Sequence, residues 1–447
     1  MKRLMIYRIM FVVLCIGVSL YLGYRRNILN RYTVNAIMEY KLVINEVMVN
    51  NRNSIRDDDG DFEDWIEIYN KGDTPIILGG FGLSKNAKEP FYWVFPDITL
   101  EPKSFSIIWA SGKNKIDPED DLHTNFTLNN KDRYIILTSP DKRWKEIFLL
   151  EPMGENISYG RLPDGSPDFY GFDEGTPGEP NKSEVLANGP NTKRLDKPHF
   201  SHEGGFYKKG FRLTLSSNEA DAKIYYTLDG SVPTEQSYLY TEPISILPND
   251  ERATVIRART YKEGYPKSEV MTNSYSVSES MLNSYNVPVI SLVTDPDNLF
   301  DYRKGIYIPG RVFERWRENN PDTVVTGAAP ANYNQRGKLW EREASIELFE
   351  TDGRRSLVQN IGIRIHGGYS RSNALKSLAL YARENYDDNP YFTYNIFSDK
   401  IEIKCSKILL RTSATDSKHS LFRDAFMQSL ARETGILDTQ RFRPCIV

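Results

Sequence analysis

Between residues 40 and 280 the chain is a succession of short segments in which apolar and polar side chains alternate, each cut off by a cluster of Gly, Pro, Asn or Asp. No other feature restricts the fold as strongly, because a repeat of two is the spacing of a strand with one buried face. In DWIEIYN (64–70), Ile66 and Ile68 fall on one face and Glu67 on the other. In VIRARTY (255–261), Ile256 and Ala258 share a face while Arg257 and Arg259 share the opposite one. Many such strands separated by tight turns predict all-β sandwiches. From Val287 the pattern changes to mixed strands and one clear helix. The segment LFRDAFMQSLARET (421–434) sets Phe422, Ala425, Phe426 and Leu430 on one stripe, with Ser420 as N-cap and Gly435 as the stop. That pattern predicts an amphipathic helix laid on a sheet.

At 447 residues the chain holds about three domains' worth of sequence. Its 40% apolar and 26% charged residues can build packed cores, which excludes disorder, collagen and coiled coil. The net charge is −3, but the first 31 residues contain six basic side chains and no acid, so the remainder carries −9. An acidic body lacks the clustered Lys and Arg that displace counterions from phosphates, so no nucleic-acid partner is expected. The same N-terminal stretch contains sixteen uncharged residues, Ile9 to Tyr24, flanked by Lys2, Arg3 and Arg8 on one side and Arg25, Arg26 and Arg31 on the other. An apolar run with such flanks, and no small-residue cleavage pattern after it, reads as an uncleaved single-pass anchor over residues 1–31.

Other local patterns read as ordinary structure. The acidic run Asp57 to Asp61 fails as an EF-hand loop, because Gly60 in the sixth position would put Ile55 in the first, and it reads as a solvated loop. His199 and His202 stand in a Gly- and Pro-rich loop, and HEGGF lacks the second histidine of a zinc-protease motif. No metal site is expected. Cys405 and Cys445 could pair, but three cysteines make no disulfide framework. Tyr225, Tyr226 and Tyr240 could form a sugar-stacking platform, though core packing is the commoner use of strand tyrosines. In IGIRIHGGYSRSNALKSLALYAR (361–383), Ile361, Ile363 and Ile365 face one way and Arg364 and His366 the other, before a Gly-Gly turn and Lys376 on the returning strand. Glycine lets a backbone approach an anion and lysine supplies a charge, yet Leu375 before Lys376 breaks the Walker spacing.

Three ordered sets of motifs resemble known families. DWIEIYN, LSKN, FPDITLEP, WASGK, LHTNFTLN, SYGRLPDG and GTPGEPN resemble the lamin-tail domain family over residues 38–181. After a polar linker (182–197), PHFSHEGGFY, KIYYTLDGSVPT, YTEPISI, VIRARTYKEGYPKSEV and NSYSV resemble the small C-terminal domain of chitobiases and hexosaminidases over 198–277. From 285 to 447, VPVISLVTDPDNLFDYRKGIYIPG, WEREASIELFETDG, the 361–383 segment, ILLRTSATDSKHSLFRDAFMQSLARETG and RFRP resemble the spore-coat CotH kinase family.

Together the resemblances imply a multidomain protein: two all-β immunoglobulin-like sandwiches, then an incomplete α+β atypical protein-kinase-like domain, with one N-terminal hydrophobic helix. They imply ATP and Mg²⁺ as cofactors and Ser or Thr phosphorylation of exported proteins by a cell-surface protein whose C-terminal body is extracellular. By motif, Lys376 takes a nucleotide-phosphate role, Arg364, Arg371 and Arg411 help cradle phosphates, and Arg423 with Asp424 matches the family's R-D pair. Catalytic residues stay unassigned, because the acidic motifs that the family places further on have no counterpart before Val447; this piece alone is expected to be inactive. A second reading is a non-enzymatic surface module that recognises polysaccharide or wall components through its sandwiches.

Overall fold

The computed structural model describes residues 40–182, 185–278, 286–387, 389–397, 404–413, 416, 419–436 and 439–447. The expected N-terminal anchor helix lies outside the described residues. Among those described, no helix is long and apolar enough to cross a membrane. Strands dominate, and the described α-helices are Pro296–Phe300, Gly310–Asn319 and Arg423–Glu433. The described residues divide into two compact units, one within 40–57 and 62–192 and one within 58–61 and 193–447.

The first unit is a two-sheet sandwich. Its larger sheet has the order Phe169–Phe172, Ser158–Arg161, Leu42–Met48, Trp65–Asn70, Phe105–Trp109, Leu122–His123. The smaller runs Lys145–Leu149, Tyr134–Thr138, Gly82–Ser84, Trp93–Val94. Leu42, Ile44, Ile66, Ile68 and Ile108 of the first sheet meet Leu83, Trp93, Ile135, Leu137 and Phe148 of the second in one core. The alternation in DWIEIYN thus aims Ile66 and Ile68 inward as expected. Glu67, however, is fully buried on the other face, so this strand has no solvent side.

A bulge explains how a carboxylate comes to be there. The ladder between Leu42–Met48 and Trp65–Asn70 shifts register between Ile44 and Glu46, so that Val47 joins the core and Glu46 turns to the face of Glu67, directly opposite it. The bulged residue, Asn45, donates from its amide to Glu67 Oε1 (3.1 Å) and Asp164 Oδ1 (2.9 Å). The GTPGEPN segment closes over the pair: Thr176 N–H donates to Glu46 Oε2 (3.2 Å) and Gly178 N–H to Glu67 Oε2 (2.7 Å). Ser158 hydroxyl also bonds Glu46. Gly175 permits this approach, since a Cβ there would lie 2.6 Å from the buried ring of Trp65. The expected solvated acidic loop is also partly internal. Asp57 is buried and holds the Lys113 ammonium at 2.5 Å.

In the second unit a small sandwich and a five-stranded antiparallel sheet share one body. Lys223–Thr227, Thr254–Tyr261 and Met271–Val277 are neighbours in the sandwich, around Leu213, Ile224, Ile246, Ile256, Ala258 and Val277. The second sheet runs Val289–Val293, Arg342–Phe349, Arg355–His366, Ser377–Tyr381, Lys407–Leu410 in strict sequence order. Beyond its first strand, Ile446 makes a parallel bridge to Val289, and Arg443 pairs with Glu350. Ala344, Ile346, Leu348, Ile361, Ile363, Ile365 and Leu380 form its core face. Cys405 and Cys445 are both free thiols, and Cys405 instead donates to Lys407 O at 2.9 Å.

The outer face of the first two strands packs on the sandwich. Ser291 and Ser274 hydroxyls meet at 2.7 Å, Ser345 donates to Thr272 (3.2 Å), and Phe206 sets its ring edge to face with Phe349. Arg355 is the hub, bonding Asn273 Oδ1 (2.8 Å), buried Glu347 (3.1 Å) and Glu203 (3.3 Å).

The Arg423–Glu433 helix departs from expectation. Its residues are not buried, and Phe426 and Leu430 stay 48% and 40% exposed, so its apolar stripe is not laid on the sheet. The N-cap residue is Phe422 and not Ser420, although the Ser420 hydroxyl oxygen accepts the Phe422 N–H at 3.3 Å. Asp416 supplies the main cap, accepting the N–H groups of Phe422 (3.2 Å) and Arg423 (3.1 Å) while taking the Ser420 hydroxyl. Gly435 ends the helix with φ +84°, as its sequence position predicts.

Two predictions follow from these buried charges. Burial pushes the Glu46 carboxyl up to about 7 and, with Glu46 as a like-charged neighbour, Glu67 up to about 8. The unfolded chain ionises both near 4.5, so the folded state holds extra protons between that pH and 8 and its stability falls as pH rises through the window. Denaturant unfolding of the first unit is expected to weaken on the order of a few kcal/mol from pH 5 to pH 8, and Glu67→Gln to flatten at least half of that slope. Arg355→Ala is expected to cost roughly 3–5 kcal/mol in the second unit, since it strands the Glu347 carboxylate. Glu347→Gln in the same background should recover part of the loss.

Candidate functional site

The Arg355–His366 and Ser377–Tyr381 strands pair with His366 opposite Ser377. Between them the chain makes a glycine-rich turn and a single 3₁₀ turn, Tyr369–Ser372. Gly367 has φ +119°, a conformation that a residue with a side chain rarely adopts. The turn is held from within. Arg371 donates to Gly367 O (2.8 Å), Tyr333 O (2.9 Å) and Gln335 O (2.8 Å). Lys376 Nζ donates to Arg371 O and Asn373 O, both at 2.7 Å, and lies 4.4 Å from the Tyr333 ring centre and 5.1 Å from that of Tyr307. Both cations are buried, and desolvation lowers the pKa of each.

The structure therefore separates the five cations that the motifs single out. Lys376 and Arg371 belong to the turn, and the tyrosines around Lys376 pack on the core face. Arg364 lies on the opposite face, 3.2 Å from Glu341 and with its guanidinium 4.0 Å from the Tyr381 ring centre. Arg411 follows the last strand and pairs with Asp424. Arg423 pairs at 3.2 Å with Asp416, in the loop that precedes the helix. Asp416 is held down to about 2 by the Ser420 hydroxyl and the N–H of Arg423.

Other residues at this face were given no site role from sequence. Glu341 is buried and takes Arg383 through both oxygens (2.7 and 3.0 Å), Arg364 and the Tyr386 hydroxyl (3.2 Å). Lys407 lies opposite Tyr381, its ammonium 5.5 Å from the ring centre. Arg336 reaches Gly367 O at 3.5 Å. His366 is half-buried, and its imidazolium is disfavoured by desolvation and then by Lys407, Arg411, Arg371 and Arg336. The alternation in IGIRIH was the one sequence signal that placed His366 beside Arg364.

A magnesium ion would need carboxylate oxygens here. Glu341, Asp424 and Asp416, the acids beside this face, are each engaged by arginine. The described residues around the turn thus suit anions and do not fit a metal.

The tyrosines proposed as a sugar platform divide as well. Tyr225 is buried against Tyr261, and Tyr240 packs on the sandwich core. Tyr226 also packs on that core, its ring tilted 34° at 5.6 Å from Tyr238, which is 64% exposed on an edge strand.

Comparison with known families gives three matches in chain order. Residues 38–156 match the Lamin Tail Domain, residues 202–272 the Chitobiase/beta-hexosaminidase C-terminal domain, and residues 363–447 the CotH kinase protein. No curated protein matches the chain. Among solved structures, the crystal structure of murine CEACAM1b aligns at 11% identity over 52% of this chain and 99% of that one, with a TM-score of 0.16, too low to carry an argument. In order along its length, this chain is similar to a lamin tail domain, a chitobiase/beta-hexosaminidase C-terminal domain and a CotH kinase protein.

Proposed function

We propose that this is a cell-surface protein of the CotH type, whose last region binds the phosphates of ATP in support of Ser/Thr phosphorylation of exported proteins. The observation that carries the reading is the built glycine-rich turn, whose backbone is fixed by Lys376 and Arg371 at the end of a sheet carrying Arg364, Lys407 and Arg411. A fixed turn can present backbone to an anion without an ordering cost at binding. Lys376 acts in this reading by holding the turn, and Arg364 and Arg411 by facing the phosphates. The apolar run Ile9 to Tyr24 supports membrane anchoring, and the resemblance to exported proteins favours a body outside the cell. Magnesium enters with the nucleotide; the described residues of this face do not supply its ligands.

Equilibrium dialysis of ATP with magnesium against the whole chain tests this. Retention by the parent chain is expected, with Lys376→Ala and Arg411→Ala each weakening it about tenfold, near 1.4 kcal/mol. Failure of the parent chain to retain ATP at millimolar concentration ends the nucleotide reading.

One observation favours the polysaccharide reading as a second activity. Tyr238 presents its ring to solvent over Tyr226, an arrangement on which a sugar ring can stack. Tyr238→Ala is expected to abolish retention of the chain on whichever of chitin or peptidoglycan holds the parent protein. If neither retains the parent protein, this reading fails.

A further inference from the structure

The outer face of the last three strands is a small grid whose rows follow from the register. Gly362, Tyr381 and Lys407 form one row; Arg364, Ala379 and Leu409 the next; His366 and Ser377 the third, with Arg411 following Leu410 beyond the ladder. The middle strand supplies small side chains, Ser377 and Ala379, at the two rows nearest the turn. The strands on either side supply cations. Thr412 continues the floor, its hydroxyl 3.2 Å from that of Ser377.

Charge at this face is unbalanced. Lys407 makes no ion pair among the described residues and faces only the Tyr381 ring, while Arg336 bonds a single carbonyl. Arg364 shares Glu341 with Arg383, and Arg411 has Asp424. His366 therefore sits among Arg336, Arg364, Arg371, Lys407 and Arg411, with Glu341 and Asp424 the acids beside them and Tyr381 the neighbouring phenol. The cations lie on strands two spacings apart, roughly 10 Å. A chain of phosphates laid across the middle strand can touch cations on both sides.

We infer that the outer face of this sheet, floored by Ser377 and Ala379 and flanked by Arg364, His366, Lys407 and Arg411, is a binding site for a polyphosphate chain. The inference rests on the nucleotide reading in that ATP carries such a chain; it lays the phosphates across the outer face, where that reading already sets Arg364 and Arg411, and adds Lys407 and His366 as contacts. His366 is the reporter, because a polyanion laid across the cations cancels their repulsion and favours the imidazolium.

The test follows the His366 imidazole signals of the ¹⁵N-labelled whole chain through a pH titration, with the signal assigned by its loss in His366→Gln. Sodium tripolyphosphate is expected to raise the His366 midpoint by about one pH unit, a tenfold preference for the charged ring. Lys407→Ala and Arg411→Ala should each remove half of that rise or more. No rise, an equal rise in sodium chloride of the same ionic strength, or an unchanged rise in both variants would overturn the site. ATP separates the two readings. If dialysis shows ATP bound while His366 does not respond, the outer-face site is wrong and nucleotide binding stands; if tripolyphosphate moves His366 while ATP binds no better, the site stands and the nucleotide reading falls.

Discussion

Taking the Glu347 carboxylate out of water costs several kcal/mol, and the second unit offsets that cost through Arg355, which bonds Glu347, Asn273 and Glu203 at once. Burial still pushes the Glu347 pKa up, so the pair is held under strain of desolvation that only a complete set of partners relieves. Those partners come from both the sandwich and the sheet. A substitution that loosens either element therefore leaves a charge uncompensated in the other, and the two behave as one body. The serine and threonine hydroxyls that meet along the same surface add direction to this fit, since each needs its partner in place.

The first unit solves a related problem with neutral donors. Glu46 and Glu67 face each other with no basic side chain among the described residues bonded to them, and the GTPGEPN segment supplies backbone N–H groups. Backbone donors cannot neutralise two charges, which is why the pair retains protons far above the ordinary carboxylate range. The turn sequence, the bulge at Asn45 and the glycine over Trp65 are consequently parts of one device.

Much of this was legible in the sequence and some was not, for identifiable reasons. The period of two correctly aimed Ile66, Ile68, Ile361, Ile363 and Ile365 inward, because a strand's faces are set by local geometry alone. It misjudged Glu67 as a solvent-side residue, since whether the second face is covered depends on residues more than a hundred positions away. Asn45 as a bulge was equally invisible: nothing local distinguishes an inserted residue from a paired one. The five cations were chosen by motif, and motifs carry order along the chain but not the side of a sheet. Lys376 precedes Ser377 by one residue and so falls on the opposite face from His366. Glu341, which engages Arg364 and Arg383, lies 42 residues from the latter and has no motif of its own. The helix stripe at Phe422, Phe426 and Leu430 was read correctly as a pattern and incorrectly as a contact, because amphipathicity states what a helix can bury and not whether a partner is there.

The division of the sheet's outer face explains why a cationic surface sits where it does. Its first two strands are covered by the sandwich, and charge there is paired or replaced by hydroxyls, as Ser291, Ser345 and the Glu347–Arg355 pair illustrate. Over its last three strands Glu341 and Tyr386 cover the Gly362 position, while Lys407 and Arg411 stay exposed, so water can solvate those two cations as it could not on a buried surface. Tyr381 lets three of these cations gather, because Arg364, Arg383 and Lys407 all face its ring within 5.5 Å; Arg364 and Arg383 also share the Glu341 carboxylate, whereas Lys407 meets the ring without an ion pair among the described residues. An aromatic anchor fixes cation positions without consuming their charge. The face thereby keeps its attraction for an anion, which a carboxylate in the place of Tyr381 would have cancelled.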